Sequence, residues 1–133
     1  ETLIDQAEVR EPRVAELMEP VQASLSPQDP VRLAADRVRQ SGRQALLVIG
    51  DDQIALGTFA LSQVDKIRHE RQWEQPVTSL MRRQMTSVRP DQTLRESLQL
   101  MAGSELGFLP VIDEGRLLGE ITRGAIILSL YDF

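Results

Sequence analysis

Leu46-Leu47-Val48-Ile49, a turn beginning Gly50-Asp51-Asp52, and Leu56-Gly57 return later in the chain as Leu109-Pro110-Val111-Ile112, the turn Asp113-Glu114-Gly115, and Leu118-Gly119. The first four positions recur 63 residues on and the Leu-Gly pair 62 residues on, so one residue has been lost across the turn. Working outward at the same offset, Val14-Ala15-Glu16-Leu17-Met18 meets Val77-Thr78-Ser79-Leu80-Met81, Ser24 meets Ser87, Pro27 meets Pro90 and Arg32 meets Arg95. Shared core requirements alone do not explain matches at Pro and Gly, which specify backbone geometry. The chain therefore contains one unit twice.

Each copy reads in the same order. A short strand, Ala23 to Leu25 and Thr86 to Val88, precedes a helix. The first helix is expected from about Pro30 to Gln40, with Asp29 as its N-cap and Pro30 at its first position; Val31, Ala34, Ala35 and Val38 form its apolar stripe. In the second, Thr93 caps the helix, Glu96 completes a capping box, and Leu94, Leu98 and Met101 form the stripe. Both helices stop near a glycine, Gly42 and Gly103. Paired strands follow, Ala45 to Ile49 with Ile54 to Phe59 and Phe108 to Ile112 with Leu117 to Ile121, each joined by its acidic turn. Closing helices are expected over Leu61 to Trp73 and Arg123 to Leu130. The predicted fold is α/β, of the α+β kind: two β-α-β-β-α repeats related by a pseudo-twofold, their sheets packed on a shared core. The expected divisions are a lead-in over residues 1–13, repeats over 14–73 and 77–133, and a linker at 74–76.

The 133 residues include 15 Lys and Arg against 20 Asp and Glu, a net charge of −5, which disfavours a general phosphate-backbone binder. The absence of Cys excludes disulfides, Cys-ligated metals and thiol nucleophiles. No apolar run is long enough to cross a bilayer. His69, the single histidine, lies in the charged stretch Lys66-Ile67-Arg68-His69-Glu70-Arg71 and reads as part of a solvated helix face. Asp51-Asp52 and Asp113-Glu114 are turn residues rather than catalytic carboxylates. Arg82-Arg83 reads either as a solvated doublet or as the partner of a ligand phosphate, and Trp73 as an anchor at the end of the first repeat.

From Val14 to Leu130, the order Val-x-x-Leu-Met, Ser-Val-x-Pro, helix, Leu109-Pro110-Val111-Ile112-Asp113 and Leu118-Gly119-Glu120-Ile121-Thr122 resembles the cystathionine-beta-synthase (CBS) domain. Two in tandem resemble a CBS pair, or Bateman module. The resemblance implies a regulatory module, not an enzyme, that binds AMP, ADP or ATP between its units. In that family Thr or Ser, followed three residues later by Asp, holds the ribose. Here the pairs are Thr122 with Ala125 and Ala60 with Gln63, so neither cleft has the complete clamp. The better cleft is expected to use Met85, Thr86, Phe108, Pro110, Thr122 and Arg123, with Gln63 as a substitute hydrogen-bonding group in the other. Arg123 and the helix N-terminus would meet a phosphate, or Thr122 is simply the N-cap.

The last helix, Ala125-Ile126-Ile127-Leu128-Ser129-Leu130-Tyr131, is apolar nearly all round, which predicts burial on a second side. A homodimer through Ile126, Ile127 and Leu130 would supply it. With no initiator Met and an end at Phe133, the chain is expected to be a cytoplasmic, C-terminal piece of a larger protein. The parent is read by analogy as a chloride-channel-type transporter, or alternatively a metabolic enzyme or a stand-alone sensor. A dimerisation scaffold without a ligand is the reading from a different class.

Overall fold

The computed structural model describes residues 11–104 and 106–131; most of the expected lead-in, residues 1–10, lies outside these. The order is α1 (Val14–Leu17), β1 (Ser24–Leu25), α2 (Val31–Ser41), β2 (Ala45–Ile49), β3 (Ala55–Ala60), α3 (Leu61–Val64), α4 (Glu70–Glu74), α5 (Leu94–Ala102), β4 (Phe108–Asp113), β5 (Arg116–Thr122) and α6 (Arg123–Tyr131), with 3₁₀ turns at Asp51–Gln53 and Val77–Ser79. One sheet runs β1-β2-β3, with β1 parallel to β2 and β3 antiparallel; the other is the antiparallel pair β4-β5. Both hairpins carry an irregularity at the same repeat position, between Val48 and Ile49 and between Val111 and Ile112.

Thr86 to Val88 does not form the expected strand. Only Val88 pairs, with Val111, as Leu25 pairs with Val48 in the first copy. The reason is Pro110, which stands where Leu47 stands and has no N–H to extend the ladder to Ser87. The first closing helix is broken as well. After α3 the chain makes i→i+3 turns at Lys66 and Ile67, turning Ile67 toward the core, and restarts at Glu70 with the Gln72 side chain accepting the Arg68 and His69 N–H groups. His69 therefore flanks a helix start, exposed. Pro30, not Asp29, is the N-cap of α2, because its extended ψ delays the helix by one residue. Asp29 instead accepts the Ser26 N–H and pairs with Arg37.

The two copies exchange their leading segments. Val14 N–H donates to Gln92 and Leu94 N–H to Pro12; in the other half Val77 N–H donates to Asp29 and Val31 N–H to Gln75. Every one of these residues corresponds to its counterpart at the repeat offset. Val14 is thus buried in the core of the second repeat, with Leu94, Met101, Leu109, Val111, Ile121 and Ile126. Val77 and Met81 pack in the first, with Leu25, Val31, Val38, Leu46 and Phe59. A smaller cluster of Leu47, Phe108 and Leu117 joins the two sheets. Among the described residues the buried side chains thus form a cluster in each repeat and a smaller one, shared by the two sheets, at the seam.

Gly57 and Gly119 sit where this exchange closes. Thr58 and Arg82 exchange backbone hydrogen bonds, as Glu120 and Glu19 do, and a Cβ on either glycine would collide with the carbonyl oxygen of Arg82 or Glu19.

Candidate functional site

The backbone pairing of Thr58 with Arg82 brings the end of β3 beside the segment that leads to Val88. Between them lies a cleft of about 280 Å³, whose walls include Thr58, Ala60, Arg82, Gln84, Met85 and Thr86. Gly103, Ser104 and Leu106, which follow α5, complete it. Hydroxyls from Thr58, Thr86 and Ser104, the Gln84 amide and the Arg82 guanidinium can hydrogen-bond a polar or anionic ligand, while Ala60, Met85 and Leu106 provide apolar surface for a flat ring.

The residues expected in one cleft are divided between places. Met85 and Thr86 lie in the cleft just described. Phe108 and Thr122 line a second cavity, of about 250 Å³, with Gly42, Arg43, Gln44 and Ala45 and with Leu106 and Gly107. That cavity straddles the pseudo-twofold, since Arg43, Gln44 and Ala45 correspond to Leu106, Gly107 and Phe108. Pro110 is buried within β4, opposite Glu120, with its carbonyl accepting the Val88 N–H.

Gln63 is not a substitute ribose ligand. Its side chain is almost fully buried: Oε1 accepts the Ala60 N–H at 2.9 Å and Nε2 donates to the Leu80 carbonyl, so both ends are used by the chain's own backbone. Thr122 is the N-cap of α6, its hydroxyl oxygen accepting the Ala125 N–H at 3.2 Å. The Arg123 N–H donates to the Gly107 carbonyl, so the helix N-terminus does not present it to a phosphate, and the exposed Arg123 side chain reaches toward the Met101 carbonyl at the end of α5. Burial removes Ile126 from any contact with a second copy, because it is fully enclosed in the second repeat's core; Leu130 is partly buried against the same core. The outer surface of α6 is made by Ile127, Leu128 and Tyr131, 40%, 73% and 82% exposed.

The sequence reading missed one arrangement. Glu120 is fully buried and receives both terminal nitrogens of Arg43, Nη1 to Oε1 at 2.8 Å and Nη2 to Oε2 at 2.7 Å. Arg43 Cζ lies 5.0 Å from the centre of the Phe108 ring. The hydrogen bond to Glu120 raises the guanidinium pKa above its ordinary value. Such a bidentate, ring-stacked geometry is what arginine, unlike lysine, can make. The available signal was a mismatch between the copies: Arg43 and Glu120 stand where Leu106 and Thr58 stand in the other half.

Among the described residues there is no group of three or more side chains arranged to hold a metal ion, and no helix is long and apolar enough to cross a membrane.

Comparison with known proteins finds a family match for the second repeat. The profile of the CBS domain matches residues 77–132. The chain is 27% identical over 116 residues to the CBS domain-containing protein YhcV of Bacillus subtilis, covering 80% of this chain and 77% of that one. It is 23% identical over 133 residues to the choline transport ATP-binding protein OpuBA of the same organism, covering 99% of this chain but only 34% of that protein. Among solved structures, CBSX2 in complex with AMP superposes with a TM-score of 0.76 at 24% identity, over 90% of this chain and 96% of that one. The transport relative is an ATP-binding component, a different class from the channel-type parent expected from sequence. The profile thus identifies a CBS domain over residues 77–132, and the first repeat is folded as a similar unit.

Proposed function

We propose that the chain is a non-catalytic regulatory module that binds an adenosine-type ligand, AMP, ADP or ATP, in the cleft between Thr58 and Thr86, and that it works as a cytoplasmic homodimer governing a transport protein or enzyme. The observation that carries this reading is the asymmetry of the two halves: one cleft is open and lined by hydroxyls, an amide and Arg82, while its counterpart is occupied by Arg43 and Glu120. Arg82 suits the phosphate, and Met85 with Leu106 suits the base. The AMP complex of CBSX2 and the transport relative OpuBA support the ligand class and the kind of target. An ATP-binding transport component fits these relatives better than a channel.

Among the described residues no carboxylate lines the open cleft: Gln63 stands at the carboxylate position and is committed to backbone, and Ala60 stands at the hydroxyl position. A missing charge-assisted hydrogen bond costs about 1.5–3 kcal/mol, so affinity is expected to be roughly 10- to 150-fold weaker than with a complete clamp. A thermal-shift series with AMP, ADP, ATP and S-adenosylmethionine tests the reading. A ligand at 100 times its Kd adds about 2.7 kcal/mol of stability; no shift with any of the four contradicts it. In that event the second reading, a dimerisation scaffold without a small ligand, is favoured by the exposed Ile127, Leu128 and Tyr131 of α6.

A further inference from the structure

The residues that line the open cleft have counterparts at the repeat offset: Thr58 corresponds to Glu120, Ala60 to Thr122 and Leu106 to Arg43. In the second half Arg43 and Thr122 line the cavity at the pseudo-twofold, and Arg43 reaches from there to Glu120. The flat guanidinium of Arg43 lies against the Phe108 ring, with its two terminal nitrogens on the two oxygens of Glu120. Glu120 is 0% exposed and the Arg43 side chain 22% exposed, so the carboxylate is enclosed while the arginine keeps partial contact with solvent. A planar, ring-stacked group with two directed hydrogen bonds is the kind of object a recognition cleft holds.

We propose that Arg43 is a built-in occupant of the second cleft, so that the module is a single-site receptor, and that this cleft, once emptied, selects a guanidinium-type cation and not a nucleotide. The selection follows from Glu120. A buried carboxylate repels a phosphate and is satisfied by two parallel N–H donors, whereas among the described residues the open cleft is lined by Arg82 and neutral groups. Exclusion is therefore electrostatic as well as steric. The single-site part of this proposal rests on the nucleotide reading above; the cation-selective part does not.

The experiment is chemical rescue of Arg43→Ala with methylguanidinium, against the wild type and Arg43→Ala/Glu120→Thr, at constant ionic strength. Methylguanidinium is expected to give a saturable rise in Tm of roughly 4 °C in R43A that neither of the others shows. Equal shifts in all three, or none in R43A, overturn the cation-selective pocket. Should R43A be unfolded alone, recovery of its far-UV circular dichroism with methylguanidinium, and not with sodium, is the same test. A second variant, Arg43→Leu/Glu120→Thr, copies the residues of the open cleft. Calorimetric titration with AMP is expected to give one site per wild-type chain and two per double-variant chain; two in the wild type, or one in the folded double variant, overturns the occlusion. Failure of AMP to bind the wild type contradicts the nucleotide reading and the single-site claim, while the rescue arm still decides the pocket.

Discussion

Neither Gly57 nor Gly119 has room for a methyl group, since the Arg82 and Glu19 carbonyls approach their Cα atoms directly. Alanine at either position must push apart the paired backbones that hold one half's leading segment on the other half. The expected loss is about 1–3 kcal/mol for each, measured by urea denaturation. The recurrence of Leu-Gly was visible in sequence; its cause, backbone approach from a segment 25 or 100 residues distant, was not. Arg43 and Glu120 pose a different question at the same scale. Removing Arg43 leaves a fully buried carboxylate without its partner, a change that costs about 3–5 kcal/mol in comparable pairs. Glu120→Thr leaves an arginine whose side chain is already partly exposed to solvent, so it should cost less. Denaturation of R43L, E120T and R43L/E120T should therefore show the double variant more stable than R43L alone. Equal additive losses would mean that the pair is not coupled.

At the scale of elements, α5 shows local chemistry deciding a boundary. Thr93 Oγ1 accepts the Glu96 N–H at 3.1 Å, and Glu96 Oε1 accepts the Thr93 N–H at 3.0 Å, the reciprocal pattern legible from Thr93 and Glu96 alone. Thr93→Ala should cost about 1 kcal/mol. The Thr93 backbone N–H, then its hydroxyl, hold the Glu96 carboxyl below its ordinary pKa of 4.5. Unfolded chains thus take up this proton more readily than folded ones. The carboxylate's contribution is present above the unfolded pKa and is lost as pH falls through the lower folded value. Glu96→Gln should flatten the fall in stability on acidification, read from denaturation midpoints between pH 7 and acid; an unchanged slope would remove Glu96 from the account. Where elements were misread, the cause lay outside their own residues. Pro110 shortens the strand at Val88 by withholding an N–H from a partner some twenty residues away, and the break after α3 depends on Ile67 reaching the first core. Asp29 and Gln63 had the right side-chain types for capping and ligand contact, but nearby backbone groups had already engaged them.

The whole molecule is held together by reciprocity, each repeat completing its core with a segment from the other. Duplication could be read from sequence because it preserves spacing. The exchange could not, since the same matches would arise if every leading segment packed on its own half. The division of the expected site residues has the same origin, because Met85 and Thr86 face the first repeat's β3 while Phe108 and Thr122 face the pseudo-axis. On the outer side, α6 leaves Leu128 and Tyr131 uncovered. If these residues form the proposed dimer contact, Leu128→Asp/Tyr131→Asp should sediment at the mass of one chain with an unchanged far-UV spectrum, where the wild type sediments at twice that mass. The function rests on the inequality of two clefts that the repeat makes equivalent, and amide chemical-shift mapping during titration with AMP reads both at once. The account predicts progressive shifts at Thr58, Ala60, Arg82, Gln84, Met85 and Thr86 with Arg43 and Glu120 undisturbed; shifts centred on Arg43 and Glu120, or none in either cleft, would contradict it.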